Sequence, residues 1–187
     1  MGRKNIGVDV RMFSGGHRTG RAATGSYKKN MGDKNRVTVQ PAEPVDVHYI
    51  RSLSKKVFQQ YGPYEEMLVR WFESGITVTF LALMKGRPVG FAMLSRLKGV
   101  WYLPRVSELL AIAVEPEKWK LGIGDLLMKK IQRKAEELEV EMLVLHTATE
   151  NLPGQKLFKK YGFVPLDIKK NFYPSGQDAI MMYKDIA

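Results

Sequence analysis

The chain has 187 residues, a length that predicts one globular domain with some additional sequence. Hydrophobic residues make up 44% and charged residues 26%, which excludes wholesale disorder, and no apolar run reaches the roughly 20 residues of a membrane helix. Cysteine is absent, so disulfides, cysteine nucleophiles and thiolate zinc sites are excluded. The net charge of +11 favours anionic partners such as nucleic acid, a phosphate-bearing cofactor or the ribosome.

The N-terminal segment differs in composition from the rest of the chain. More than half of the net charge lies in residues 1–44, and up to Asn35 the segment is rich in Gly, Ser, Lys and Arg, without apolar periodicity. This composition predicts a flexible basic arm, 1–35, and a folded domain, 36–187. The arm is either a solvated tail or a contact to ribosomal RNA or another anionic surface. Because no apolar stretch follows the N-terminus, we expect no secretory signal and a cytoplasmic protein.

Apolar spacing in the first half of the domain predicts one strand, two helices and a hairpin of two strands. Residues 101–104 are predicted to form a loop, in which Trp101 and Tyr102 contribute to packing or line an acceptor groove. The predicted elements are a strand at 37–40, a helix from Pro44 to Gly62, a helix from Pro63 to Gly75, and strands at 76–84 and 89–97.

The second half of the domain predicts a strand–helix–strand unit followed by a short helix and two strands. The crossover helix implies that the strands on either side of it are parallel. The fold class is therefore α/β (α+β), with a mixed central sheet and flanking helices. The predicted elements are a strand at 107–114, a helix at 122–138, a strand at 142–147, a helix at 151–161, and strands at 163–164 and 179–183.

Two glycines lie between the first strand of this unit and its helix. The strand ends near Pro116, and a short basic loop then places Gly122 and Gly124 in the first turn of the helix. Uncovered N–H groups at the positive end of a helix form an anion site that suits a pyrophosphate. Close helix packing also explains the glycines. A dinucleotide-binding G-x-G-x-x-G loop is disfavoured, because its third glycine would fall at Leu127.

Three separated motifs resemble the GNAT superfamily of acetyl-CoA-dependent N-acetyltransferases. They are Val114-x-Pro116, Gly122-x-Gly124, and a segment that begins at Asn151 and ends at Gly162-Phe163, with Leu157 also matching. The resemblance covers residues 37–183 and leaves only the arm outside. It implies an acyl-CoA N-acyltransferase-like fold, in which two parallel strands splay apart and flanking helices cover the sheet.

Within that superfamily, the C-terminal part is most similar to the ribosomal-protein alanine N-acetyltransferases. The matching segments are Ile112-Ala113-Val114, Asn171–Pro174 and Asp178–Met182. In that family the loop between the last two strands helps to hold the first residue of the acceptor peptide. The resemblance implies that this loop serves the same purpose here.

The same resemblance implies the residues that bind acetyl-CoA, and it implies no metal. The backbone of the buried strand pairs with the pantetheine arm, and the glycine turn holds the pyrophosphate. Trp119 stands where the family has Gln or Arg, which removes one polar contact, whereas Lys120 retains the basic residue. The implied cofactor-binding residues are Ile112, Ala113, Val114, Lys120, Leu121, Gly122, Ile123, Gly124, Asp125, Asn151 and Phe158.

Acetyl transfer to an amine requires a base, and two residues are candidates. His146 occupies the strand position at which the alanine acetyltransferases have a glutamate base, and histidine titrates near neutral pH. Glu108 begins the neighbouring strand, where other branches of the superfamily use a glutamate through a water chain. For the acid that protonates the leaving thiolate, Phe158 replaces the family's tyrosine, which leaves Tyr161, Tyr173 or a water molecule.

Three functions remain open from the sequence. The first is acetyl transfer to a protein or peptide N-terminus, favoured by the match at Asn171–Pro174 and Asp178–Met182. The second is acetyl transfer to a small amine, such as a polyamine or an aminoglycoside. The third is a weakly active module that binds CoA or associates with RNA, suggested by Phe158 and the basic arm. The sequence does not reveal the oligomeric state.

Overall fold

The computed structural model describes residues 36–95 and 105–186, which form a seven-stranded mixed sheet with four helices. The strand order is β1-β2-β3-β4-β5-β7-β6. The strands are β1 (Val37–Pro41), β2 (Thr77–Met84), β3 (Arg87–Ser95), β4 (Val106–Val114), β5 (Met142–Ala148), β6 (Val164–Lys169) and β7 (Ala179–Asp185). The helices are α1 (Val47–Phe58), α2 (Tyr64–Glu73), α3 (Ile123–Glu137) and α4 (Leu152–Lys160).

Helices cover both faces of the sheet, and each face has its own apolar core. Helices α3 and α4 pack on one side, called the α3–α4 face, where Ile131 and Phe158 are completely buried. Helices α1 and α2 pack on the other, called the α1–α2 face, around Ile50 and Phe91. Because both faces are covered, the central strands are nearly continuous apolar runs rather than alternating ones. No helix in the described ranges is long and apolar enough to cross a membrane.

Strands β4 and β5 are parallel, as predicted, but they pair over only part of their length. Their register runs from Val106 opposite Met142 to Leu109 opposite Leu145, and pairing ends there although both strands continue. At this point Leu110 is an extra residue in the pairing of β4 with β3, since Met93 lies opposite Ala111 and Leu94 opposite Leu109. Such a bulge bends and twists its strand. The two strands therefore separate into a cleft.

Several predicted boundaries differ from the structure. The first predicted helix is α1, flanked by short 3-10 turns at Pro44–Asp46 and Gln59–Tyr61. The largest difference is β6, which runs from Val164 to Lys169 instead of ending at residue 164. Its residues are all exposed at the sheet edge. Val164, Leu166 and Ile168 alternate as in a strand, but Pro165 within the run favours ending a strand there. The arm at 1–35, the end of the strand predicted at 89–97 and the loop at 101–104 lie outside the described residues.

Candidate active site

The two predicted base candidates form one hydrogen-bonded pair at the point where β4 and β5 separate. The distance between Glu108 Oε1 and His146 Nδ1 is 2.9 Å. The carboxylate accepts this hydrogen bond, so Nδ1 of the neutral ring carries the proton and Nε2 is the basic nitrogen. His146 is 3% exposed and Glu108 is 17% exposed, so the pair is shielded from bulk water but is open on the carboxylate side.

The ring of His146 is held by the loop that joins β6 to β7. Phe172 stacks on the imidazole with a centroid distance of 4.6 Å and an angle of 12° between the planes. Tyr173 contacts Phe172 edge-on at 5.2 Å and packs against Tyr61 and Tyr64 at 4.8 and 5.9 Å. The loop that the resemblance assigns to the acceptor therefore touches the candidate base.

This loop is also anchored to the connection between α1 and α2. A Cβ atom built on Gly62 would lie 2.8 Å from Cβ of Pro174, so the two segments approach too closely for any side chain. Asp178 accepts hydrogen bonds from Lys170 Nζ at 2.6 Å and from the Asn171 N–H at 2.9 Å. These two bonds lower the pKa of Asp178 below its ordinary value, the Lys170 bond contributing more. The loop is thus fixed at both ends.

The two tyrosines considered as acids lie on opposite faces of the sheet. Tyr161 packs on the α3–α4 face, and its hydroxyl donates to the backbone oxygen of Asp125 at 2.9 Å. Burial raises the pKa of Tyr161, and the neighbouring Asp125 adds to the effect. Tyr173 is buried on the α1–α2 face, the side of His146. Phe158 is completely buried in the α3–α4 core beside Phe163, with centroids 6.0 Å apart. Tyr173 thus lies on the same face of the sheet as Phe172 and His146, whereas Tyr161 lies on the opposite face.

The separated part of β4 presents backbone groups to the cleft. The Glu115 N–H donates to the Val89 oxygen of β3, and hydrogen-bonded residues alternate along antiparallel strands. The backbone N–H and carbonyl of Ala113 therefore point toward β3, whereas those of Ile112 and Val114 point toward the cleft. Ile112 retains both an N–H and a carbonyl there. These groups suit the amides of an extended ligand that lies between the strands as an added strand would.

Trp119 has a specific contact that the sequence did not reveal. Its indole Nε1 donates to the Val114 carbonyl at 2.8 Å, and its ring packs on the α3–α4 core. It therefore fixes the loop after β4 to the end of that strand. The residue that replaces the family's polar side chain thus has a positioning role in this chain.

The turn before α3 has the shape of an anion site. Gly122 has φ of 74° and Lys120 has φ of 66°, so the chain reverses through two left-handed residues. A Cβ built on Gly122 meets no atom within 4 Å, which leaves open space above the turn. The first N–H groups of a helix lack intrahelical partners and bear partial positive charge. Leu121 is exposed beside them, whereas Ile123 and Gly124 are buried. The residues present fit a CoA pyrophosphate.

Asp125 and Asn151 contribute to the structure around this turn. Asp125, in the first turn of α3, accepts hydrogen bonds from Lys160 and from the Tyr161 hydroxyl, which join α4 to α3. Asn151 is 3% exposed and caps α4 by accepting the Gly154 N–H at 3.2 Å. Its amide also donates to the Thr147 hydroxyl at 3.0 Å. Asn151 therefore caps α4 and joins it to the end of β5.

A surface cluster links α1 to the loop that leads to the cofactor turn. Lys56 Nζ lies 2.8 Å from Glu115 and 2.9 Å from Glu117. The Lys56 hydrogen bond lowers the pKa of Glu117, and the two carboxylates raise the pKa of Lys56. The sequence does not reveal Lys56 as a site residue, because its partners lie 59 and 61 residues away. Phe172 is part of the Asn171–Pro174 motif, but its contact with His146 joins distant segments of the chain. In the described residues, no three His, Asp or Glu side chains cluster as a metal site would require.

Comparison with known proteins finds relatives that are named as acetyltransferases. An N-alpha-acetyltransferase of Sulfurisphaera tokodaii is 26% identical over 151 residues, covering 77% of this chain and 90% of the relative. A ribosomal protein bS18-alanine N-acetyltransferase of Salmonella typhimurium is 32% identical over 79 residues, covering 41% and 53%. The chain spans just over half the length of the bacterial relatives it matches.

A solved structure and a family model extend the likeness to the whole domain. The ribosomal-protein-S18-alanine N-acetyltransferase of Escherichia coli superposes with a TM-score of 0.69 at 22% identity, covering 81% of this chain and 95% of that one. This likeness confirms the predicted fold. The model of the acetyltransferase (GNAT) family matches residues 46–163, more than half of the chain. The chain therefore belongs to the GNAT family of acetyltransferases, and its resemblance to acetyl-transferring enzymes is confirmed.

Proposed function

We propose that this protein transfers an acetyl group from acetyl-CoA to the N-terminal amine of a protein. The observation that carries the proposal is the Glu108–His146 pair, which lies where β4 and β5 separate and under the loop between β6 and β7. The relatives named as N-alpha-acetyltransferase and as ribosomal-protein alanine N-acetyltransferase support a protein N-terminus as the acceptor. Ribosomal proteins are the acceptor class that we favour, in the cytoplasm, with the basic arm as a further contact to RNA.

Acetyl-CoA supplies the acetyl group as a thioester, and the protein positions it. The N–H groups at the start of α3, near Gly122, bind the pyrophosphate, and Lys120 adds positive charge. The backbone groups of Ile112 and Val114 orient the pantetheine arm along β4. A backbone N–H of β4 polarises the thioester carbonyl by hydrogen bonding. Bringing both reactants into this geometry contributes about 7–11 kcal/mol to lowering the barrier.

The Glu108–His146 pair removes the proton from the acceptor ammonium. The proton moves to Nε2 of His146, the amine nitrogen then bonds to the acetyl carbon, and the carbon–sulfur bond breaks. The second proton that the nitrogen must lose passes through water to the leaving thiolate. Glu108 holds the Nδ1 proton and stabilises the imidazolium that forms, while Phe172 fixes the plane of the ring. A base of this kind contributes roughly 10²–10⁴-fold to the rate.

The leaving thiolate takes its proton from water rather than from a tyrosine. The hydroxyl of Tyr161 is engaged with Asp125, and its raised pKa makes it a poorer acid. Tyr173 is buried between the rings of Tyr61 and Tyr64, where it supports the loop. We expect Tyr161→Phe and Tyr173→Phe to retain kcat within a few-fold. A loss of about 100-fold in either variant, with the KM for acetyl-CoA unchanged, would identify that residue as the acid.

A comparison of variants in the pair tests the assignment of the base. His146→Ala is expected to lower kcat about 100-fold, and Glu108→Gln about tenfold, with CoA binding retained in both. The double variant should be no slower than His146→Ala, because the two residues act as a unit. His146→Asn is the matched control, because its amide retains a donor near the Nδ1 position and lacks a base. If Glu108→Gln is the slower single variant, the base is Glu108.

The acceptor class is tested by release of the CoA thiol and by mass spectrometry. The protein is incubated with acetyl-CoA and either a peptide that begins with Ala, the same peptide with a blocked N-terminus, or a panel of polyamines and aminoglycosides. Turnover only with the free N-terminus supports the proposal. Turnover of small amines alone points to a small-amine acetyltransferase, and CoA binding without turnover points to a binding module.

A further inference from the structure

A pocket of about 300 Å³ lies beside the loop between β6 and β7. It lies between the start of α2 and the residue that follows Tyr173. Its walls are mostly apolar, with two charged side chains. The lining residues are Pro63, Tyr64, Glu66, Met67, Arg70 and Pro174.

The pocket is connected to the candidate base by a continuous series of ring contacts. Phe172 stacks on His146, Tyr173 contacts Phe172, and Tyr64 in the pocket wall contacts Tyr173. Each step is 4.6 to 5.9 Å between centroids. An extended peptide advances about 3.3 Å per residue. A peptide whose N-terminal amine lies at His146 therefore reaches the pocket within its first few residues.

The pocket wall contains one acidic and one basic side chain, Glu66 and Arg70. The Glu66 carboxylate is already paired with Arg51 of α1. Arg70 is exposed, and it forms no ion pair with any other residue in the described parts of the chain. Its guanidinium is therefore available to a ligand, for which a carboxylate is the geometrically matched partner.

Tyr64 contributes its ring to the wall of the pocket. Its hydroxyl oxygen is buried behind that wall and is not accessible to a ligand in the pocket. Arg70 is therefore the donor that the pocket offers to a carboxylate.

We infer that this pocket binds the carboxylate side chain of a glutamate or aspartate near the N-terminus of the acceptor, through Arg70. The inference rests on the proposed function, because it assumes a peptide acceptor. Met67, Pro63 and Pro174 contact the methylene groups of that side chain. The enzyme therefore selects acceptors by an acidic residue within positions 2 to 5, in addition to the first residue.

A series of peptides tests this selection in the full-length protein. Each peptide begins with Ala and has one Glu at position 2, 3, 4 or 5, with Gln or Lys at the same position as references. At one of these positions we expect Glu to exceed Gln about tenfold in kcat/KM, mainly through KM, and Lys to be poorest.

Charge reversal at Arg70 provides the decisive comparison. Arg70→Glu is expected to invert the preference, so that the Lys peptide exceeds the Glu peptide. Lys55→Glu is the matched control, because it makes the same change of charge on an exposed position of α1 that does not line the pocket. It should leave the preference for Glu over Gln unchanged.

Each remaining result overturns the inference in a recognisable way. Equal turnover of Glu and Gln peptides at every position shows that the pocket does not select, while N-terminal acetylation itself stands. The same loss of preference in Arg70→Glu and Lys55→Glu shows general electrostatic attraction rather than a pocket. Absence of turnover for all peptides, with turnover of small amines, overturns the proposed function and the inference together.

Discussion

Gly62→Ala tests whether the loop between β6 and β7 depends on its contact with the α1–α2 connection. Gly62 has φ of 126° and ψ of −176°, a backbone conformation that is essentially restricted to glycine. Its missing side chain also makes room for Pro174, whose Cβ would lie 2.8 Å from an added Cβ. Alanine therefore introduces backbone strain and a steric clash with the loop that contacts His146.

The magnitude follows from these two terms. Backbone strain of this kind costs about 1–3 kcal/mol, and overpacking costs typically about 1–3 kcal/mol, part of which is relieved if the loop moves. Gly75→Ala is the matched control, because Gly75 has φ of 68° and no atom within 4 Å of an added Cβ. Its cost is strain alone, about 1 kcal/mol. With about 2–4 °C per kcal/mol at this size, we expect a loss of about 5–10 °C in Tm for Gly62→Ala and about 2–4 °C for Gly75→Ala.

Thermal melting and peptide kinetics together measure this effect. In Gly62→Ala the displaced loop should also raise the KM for the peptide and lower kcat, with CoA binding retained, whereas Gly75→Ala should change neither kinetic constant. Equal Tm values in the two variants would show that the Pro174 contact is unimportant. A lower Tm with unchanged peptide turnover would show that the loop does not position the base or the acceptor.

Three further predictions concern the cofactor turn, the loop anchor and the arm. Gly122→Glu should weaken CoA binding at least about tenfold by calorimetry, whereas Gly86→Glu, a left-handed glycine with equally open surroundings at the β2–β3 turn, should not. Because the pKa of Asp178 is lowered, its ionised carboxylate stabilises the folded protein at pH values above the ordinary pKa of 3.8. This stabilisation is lost as the pH falls through the lowered pKa. Asp178→Asn should raise the KM for the peptide at neutral pH, whereas Asp167→Asn on the exposed edge strand β6 should not. Equal effects of the two substitutions would show that Asp178 does not anchor the loop between β6 and β7. Deleting 1–35 should leave Tm and CoA binding unchanged but reduce RNA binding at low salt, and a large loss of Tm would show that the arm packs on the domain.

Most of the sheet could be predicted because its strands are buried on both faces. Apolar runs of four to six residues mark β2, β4 and β5, at 80–84, 109–114 and 142–145. The crossover helix α3 determines that β4 and β5 are parallel. The edge strand β6 was predicted too short although Val164, Leu166 and Ile168 alternate along it, because Pro165 is typical of the end of a strand. The extent of pairing between β4 and β5 could not be predicted from their residues, since it depends on a bulge at Leu110 that no residue type announces.

The candidate site shows the same division between local and long-range information. The glycine turn is local, so its residues reveal it: Gly122 and Gly124 permit the bend and the helix entry. The contacts of Trp119 with Val114, and of Phe172 with His146, depend on where distant segments meet. Reading Trp119 only as a lost polar contact overlooked its indole N–H, which is a donor for the end of β4.

The two base candidates could not be ranked from the sequence because they are partners. Glu108 of β4 lies opposite Val144 of β5 in the paired part of the two strands. Val144 is two residues before His146 along β5. Side chains two residues apart on a strand share a face, so the parallel register alone brings the carboxylate toward the imidazole. Had β4 and β5 separated two pairs earlier, after Ser107 and Leu143, Glu108 would lie outside the paired region and its hydrogen bond to Nδ1 would be lost. The position of the bulge therefore determines both the opening of the cleft and the orientation of the base beneath it.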